Sequence, residues 1–196
     1  MRIGIDIDDT ITNIKNELTQ ALLEYAKSIG KDISNIKEIR DDATNDGKCY
    51  QELFNFSYDE LKFFLKNIQE KITSKAIPRE YAVEVINKLK SEGNEIVIIT
   101  ARDDEFHDDP YNESKEWLEK YSINYDKLIV NARTKDNVCK ENNIDLFIDD
   151  KLNHCLEVAK LGINVIKISD NDDNVENIKT FSNWLDIYNY IKSLEG

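Results

Sequence analysis

The densest chemistry in the chain lies in its first ten residues, where Arg2-Ile3-Gly4-Ile5-Asp6-Ile7-Asp8-Asp9-Thr10 is an apolar run ending in three carboxylates and a hydroxyl. Ile3, Ile5 and Ile7 read as a buried strand, and an unpaired carboxylate buried at its end is costly, so these acids need a cation. Asp6 and Asp8 lie two apart and point the same way along a strand; past its end the Asp8 backbone carbonyl can turn inward as well. Hard oxygens clustered in this way suit Mg²⁺.

Three further segments end in the same manner. Ile96-Val97-Ile98-Ile99 closes in Thr100-Ala101-Arg102, a strand near Lys127 to Val130 leads to Arg133 and Lys135, and one at Asp145 to Ile148 runs into Asp149-Asp150. Taken singly, a Thr at a strand end, a Lys at a helix start or an Asp-Asp pair is ordinary local structure. At the ends of successive strands they assemble carboxylates, a hydroxyl and cations in proportions that suit Mg²⁺ and a phosphate.

The elements that must position these residues are legible from periodicity. Ile14, Leu18, Ala21, Leu22, Tyr25 and Ile29 predict a helix from Asn13 to Gly30. Residues 31–56 are polar, with Asp41, Asp42, Asn45, Asp46 and Gly47 together, and predict short helices joined by loops. Ser57-Tyr58-Asp59-Glu60 is a capping box, with Phe56 and Leu61 placed as a hydrophobic staple, and opens a helix to about Ile72. Pro78 suits the first turn of a helix whose face is Tyr81, Val85, Ile86 and Leu89, with Gly93 as its stop.

Beyond the strand at 96–99 the pattern alternates. A helix from Pro110 to Tyr121 precedes the third strand, a helix at 135–141 the fourth, and a helix at 152–160 a fifth strand at Asn164 to Ile168; helical segments near 175–193 close the chain. This alternation predicts an α/β fold, a central parallel sheet with right-handed crossovers and helices on both faces, whose ligands bind at the carboxyl ends of the strands. Residues 13–76 form a mainly helical block after the first strand.

At 196 residues with a formal charge of −13, the chain fits one domain with a small inserted lobe. The charge argues against a nucleic-acid polymer or an anionic membrane as partner, while a small anionic substrate fits if a metal and local cations neutralise it. Cys49, Cys139 and Cys155 are odd in number and widely spaced, which fits reduced thiols. With no apolar run of membrane-spanning length and no signal-peptide pattern, the expected location is cytoplasmic.

The ordered set of strand-end residues resembles the haloacid dehalogenase superfamily of phosphotransferases. Its first motif, Asp-x-Asp-x-Thr after a strand, matches Asp6-Ile7-Asp8-Asp9-Thr10; its second matches Thr100, its third Lys135, and its fourth, an acidic pair, Asp149-Asp150. The resemblance implies a Rossmann-like three-layer sandwich with a catalytic core of residues 1–12 and 77–196 and a small helical cap of residues 13–76. Ile99-Thr100-Ala101-Arg102, Trp117-Leu118, Tyr125-Asp126-Lys127-Leu128, Arg133-x-Lys135 and Leu146-Phe147-Ile148-Asp149-Asp150 look more narrowly like the C-type 5′-deoxyribonucleotidases and their bacterial relatives. Asp9 departs from the glycine common at its position.

The resemblance implies an Mg²⁺-dependent phosphomonoesterase in which Asp6 attacks phosphorus to form an aspartyl phosphate. Asp8 enters protonated, donates to the leaving alcohol and then activates water. Mg²⁺ binds Asp6, the Asp8 carbonyl and Asp149, with Asp150 orienting them, while Thr100, Ala101 and Lys135 bind phosphoryl oxygens. Lys135, at a helix start facing the crevice, is preferred over Lys140 and Lys151. Arg102 and Arg133 either grip the substrate or pair with acids. Tyr50, Phe54 and Phe56 are expected in the cap's core, the acidic loop 103–109 as solvated rather than as a second metal site, and His154 as structural. A nucleoside monophosphate is the first substrate class; sugar phosphates or other small phosphomonoesters are the alternative, and a receiver-like phosphoacceptor a further one.

Overall fold

The computed structural model describes residues 1–36, 48–170, 175 and 178–195. Six strands form one parallel sheet: β1 (Arg2–Ile5), β2 (Glu95–Ile99), β3 (Lys127–Ile129), β4 (Leu146–Asp149), β5 (Asn164–Ile168) and β6 (Lys179–Phe181). Their order, β3-β2-β1-β4-β5-β6, makes β1 central, and the direction of winding reverses between β1 and β4. That reversal opens a crevice outside the carboxyl ends of the strands, where sheets of this kind take their ligands.

Side-chain alternation along the strands gives the sheet two apolar faces. Ile3, Ile5, Ile98 and Ile148 pack against α5 (Ala82–Ser91), α6 (Pro110–Lys120) and α9 (Trp184–Glu195). Val97, Ile99, Phe147 and Val165 pack on the other side against Cys139 of α7 (Lys135–Glu141) and Cys155 of α8 (Leu152–Ala159). Continuous β-branched runs are what a strand covered on both faces requires.

Between β1 and α5 lie α1 (Lys15–Ser28), α2 (Lys48–Phe54), α3 (Tyr58–Phe64), a π-helical turn (Leu65–Gln69) and α4 (Glu70–Lys75). They share their own apolar cluster, including Leu18, Leu22, Tyr50, Phe54, Phe56 and Phe64. The capping box forms as expected: Ser57 Oγ accepts from the Glu60 N–H at 3.2 Å, and Glu60 Oε2 accepts from the Ser57 N–H at 2.7 Å. The single helix expected to follow is instead interrupted by the π turn. Asp41, Asp42, Asn45, Asp46 and Gly47 lie outside the described residues.

Two boundaries differ from the sequence reading. Pro78 does not open a helix; it forms an antiparallel bridge with Thr12, and α5 begins at Ala82 after Tyr81, which is left-handed (φ 62°) and 42% exposed. The chain returning from the helical block must first pair beside the β1 loop, where the Arg79 N–H donates to Ile11 O at 2.7 Å. Near the C-terminus, residues expected to be helical supply β6 before α9 begins. Among the described residues no helix is long and apolar enough to cross a membrane.

Candidate active site

Asp6 follows β1 directly, and its N–H donates to Ile148 O at 3.0 Å, which carries the ladder one residue past the strand and brings Asp6 level with Asp149. Lys135, the first residue of α7, is fully buried behind it. Its Nζ donates to Asp6 Oδ1 at 2.7 Å and to Ile99 O, at the end of β2, at 2.6 Å. Thr100 is buried beside them, its N–H bonded to Ile129 O and its Oγ1 accepting from the Arg102 N–H at 3.3 Å. Asp6, Asp8, Thr100, Ala101, Arg102, Arg133, Asp149 and Asp150 all line one cleft, as does Lys151, whereas Lys140 is exposed on α7.

The turn after β1 is held by its own polar groups. Asp9 takes a left-handed conformation (φ 58°), its N–H donates to Thr12 Oγ1 at 3.0 Å, and its Oδ1 accepts from the Ile14 N–H at 2.8 Å. Asp tolerates this backbone better than most residues, so it can stand where glycine is common and also tie the turn to the start of α1. Thr10 Oγ1 donates to Asp150 Oδ1 at 3.2 Å, linking the first motif to the fourth.

Asp6, Asp149 and Asp150 place carboxylate oxygens within 4.8 Å of one another. Burial pushes the Asp6 carboxyl up to about 6, with Asp149 and Asp8 adding to it and Lys135 opposing. Burial, then Asp149, Asp9 and Asp6, raise Asp150 well above the ordinary carboxylate range. Burial also works against the Asp149 carboxylate, but His154, Lys135 and the Lys151 N–H outweigh it and hold that carboxyl low. His154 Nδ1 lies 3.0 Å from Asp149 Oδ2. An all-oxygen set of three carboxylates this close together fits a hard divalent ion such as Mg²⁺.

Asp8 is paired with a cation in the free site. Arg102 grips it as a fork, Nε to Oδ2 and Nη2 to Oδ1, both at 2.8 Å. Burial opposes the charged form of Asp8, yet the guanidinium prevails and holds its carboxyl below the usual range. Arg133 is likewise engaged by acids, pairing with Asp103 and Glu105 while lying over the Phe106 ring. Of the two roles open to these arginines, the structure shows the ion pairs.

The acidic loop is solvated only in part: Asp104, Asp108 and Asp109 are exposed as expected. Asp103 and His107 are buried, His107 Nδ1 lies 2.7 Å from Glu113 Oε2, and Asp109 caps α6 by accepting from the Asn112 N–H. Two of its acids reach across to the helical block: the Tyr58 hydroxyl donates to Glu105 at 2.6 Å and Lys66 Nζ to Asp108 at 2.8 Å. Tyr50, Phe54 and Phe56 are buried in the block's own core, and Tyr50 also lines the cleft with Ile14, Leu18, Leu65, Gln69, Thr73 and Phe106. The cleft holds about 140 Å³.

Sequence reasoning missed His154 as a partner of Asp149, the Asp8–Arg102 pair, and Gln69. His154 had a readable signal, lying one turn into the helix that follows the acidic pair. Gln69 had none, being a polar residue inside a stretch read as an ordinary helix.

No family model matches the chain. It is 29% identical over 198 residues to a nucleotidase of Clostridium acetobutylicum, covering 99% of this chain and 95% of that one. It is 27% identical over 200 residues to the "Putative nucleotidase YqfW" of Bacillus subtilis, covering 98% and 94%. Among solved structures, it superposes on a HAD hydrolase, family IA, variant 3, from Entamoeba histolytica with a TM-score of 0.69 at 14% identity, covering 100% and 99%. It also superposes on the "putative HAD-hydrolase YfnB" of Bacillus subtilis, bound to magnesium, with a TM-score of 0.64 at 13% identity, covering 97% and 98%.

Proposed function

We propose that this chain, which has the fold of solved HAD hydrolases and is related over its whole length to proteins named nucleotidases, is an Mg²⁺-dependent 5′-nucleotidase working through an aspartyl phosphate on Asp6. The observation that carries this reading is the placement of Asp6: at the end of the central strand, hydrogen-bonded by a fully buried lysine, and within 4.8 Å of two further carboxylates. We assign residues 1–12 and 77–196 to the catalytic core and 13–76 to the cap.

In this mechanism an Asp6 carboxylate oxygen bonds to phosphorus as the bond from phosphorus to the leaving oxygen breaks. Asp8 gives that oxygen a proton, then takes one from the water that cleaves the aspartyl phosphate and releases phosphate. In the free site Arg102 pairs with the Asp8 carboxylate, so the donor role begins once the guanidinium lets go and Asp8 takes a proton from solvent. Phosphoryl oxygens, which bind the guanidinium fork as carboxylates do, compete for it. Thr100, the Ala101 N–H and Lys135 hold the transferring phosphoryl group, where charge builds in the transition state. Bound Mg²⁺, held by Asp6, Asp149 and the Asp8 carbonyl with Asp150 beside them, supplies charge neutralisation between the nucleophile and the phosphate.

The nucleotide assignment draws on the names of the relatives and on the apolar cap wall of the cleft. Small-molecule sites usually start near ~300 Å³, so this reading requires the 140 Å³ cleft to widen when a nucleotide binds. The test is turnover of p-nitrophenyl phosphate and a panel of monophosphates with Mg²⁺, with EDTA, and in Asp6→Asn. Activity that depends on both Mg²⁺ and Asp6, strongest on nucleoside monophosphates, is expected. Turnover indifferent to EDTA and to Asp6→Asn ends the proposal.

A further inference from the structure

The cap wall of the cleft contains a polar group that the mechanism does not use. Gln69 Oε1 is buried and has no hydrogen-bond partner among the described residues, although Gln69 lines the same cleft as Asp6. The neighbouring Thr73 is already satisfied, its hydroxyl donating to Glu70 O at 3.0 Å. Buried acceptors are nearly always paired, so an unpartnered one on a residue that lines a binding cleft marks where a ligand supplies the donor.

The backbone points the same way. Gln69 closes the π turn, in which the Glu70 N–H bonds Leu65 O, five residues back. Leu65, at the start of the turn, packs in the cap core with Leu61 and Phe64 and also lines the cleft with Gln69 and Thr73. A π turn gives up regular α-helical pairing, and such turns concentrate at functional positions. Around Gln69 the wall is apolar and partly aromatic, formed by Leu18, Tyr50, Leu65 and Phe106.

We propose that Gln69 reads the leaving group, its amide oxygen accepting an N–H from the edge of a nucleobase whose ring lies against Tyr50, Leu65 and Phe106. A side-chain amide sets an acceptor beside a donor, the pattern complementary to base edges, and apolar walls suit a flat heterocycle better than a sugar. This inference rests on the phosphatase reading and names the part of the substrate that reading leaves open.

The test compares kcat/KM of the wild type, Gln69→Leu and Gln69→Met on the 5′-monophosphates of uridine, thymidine, adenosine and guanosine, on ribose 5-phosphate, and on p-nitrophenyl phosphate. For the preferred nucleotide the expected loss is about tenfold greater than for p-nitrophenyl phosphate, the scale of one hydrogen bond, and falls mainly on KM. Equal losses on all substrates overturn the proposal, and a selective loss on ribose 5-phosphate overturns it in favour of a sugar hydroxyl. A wild type that hydrolyses p-nitrophenyl phosphate but no nucleotide refutes the base contact and leaves the phosphatase standing; one that hydrolyses neither refutes both. Gln69→Met, close in volume, carries the comparison if Gln69→Leu does not fold.

Discussion

Replacing Lys135 with methionine tests the electrostatic design of the site without reference to any substrate. The wild-type ammonium is fully buried and donates to Asp6 Oδ1 at 2.7 Å and to Ile99 O at 2.6 Å. Methionine fills much of the same volume, so the loss is electrostatic rather than a cavity: Asp6 is left beside Asp149 with its counter-charge gone, and Ile99 O loses a donor. Breaking one side of a buried pair costs about 3–5 kcal/mol, which for a chain of this size lowers Tm by roughly 6–20 °C. Calorimetry at pH 8 in EDTA measures it.

The pH dependence supplies a second check. Burial already holds the Asp6 carboxyl at about 6 and Lys135 pulls against that rise, so the variant's value lies higher still. An acid whose folded pKa is raised destabilises the fold while it is charged. The charge-dependent part of the deficit is therefore full above the variant's raised value, shrinks as pH falls through it, and is gone below about 6. A loss under about 1 kcal/mol at pH 8, or a deficit that does not shrink by pH 5.5, refutes the assignment of Lys135 as the counter-charge of Asp6.

Further perturbations probe the scaffold. A Cβ built on Gly4 meets Phe147 Cδ2 at 3.0 Å, Ile99 Cδ1 at 3.1 Å and Ile144 Cγ2 at 3.2 Å, so Gly4→Ala should cost about 1–3 kcal/mol by denaturant titration. Asp9→Ala should cost about 1–2 kcal/mol, because alanine keeps the left-handed strain and loses the bond to the Ile14 N–H, while Asp9→Gly relieves the strain and should cost less. Equal losses in the two Asp9 variants would count against that account. Tyr58→Phe combined with Lys66→Ala removes two ties between the helical block and the acidic loop. These ties are exposed, so global stability should fall by less than about 1 kcal/mol, whereas amide exchange in residues 58–75 should accelerate; unchanged exchange shows that the ties do not restrain the cap.

How much of this was legible beforehand follows from the range of the forces involved. The strands and most helices around the sheet are written in short-range periodicity, and the abrupt polar endings after Ile5, Ile99 and Ile148 are local as well. An isoleucine run followed by an acid commits both the strand and the position of its reactive end, and parallel winding then brings those ends to one edge. The capping box at Ser57 was readable for the same reason: its two bonds span three residues.

What the tertiary structure alone decided is which charge belongs to which. Arg102 and Asp8 lie 94 positions apart, and either could have taken another partner from this charge-rich chain; packing around β1 and β2 selects the pair and with it the resting state of Asp8. Arg133, Asp103 and Glu105 were in the same position, and their pairing turns an apparently solvated loop into a bridge to the cap. The start of α5 moved because the returning chain pairs with Thr12 first, and the helix after Ser57 is interrupted by a π turn whose ends, Leu65 and Gln69, line the cleft. Periodicity determines an element from its own residues, whereas partners in a low-dielectric crevice are chosen by whichever groups the finished fold leaves within reach.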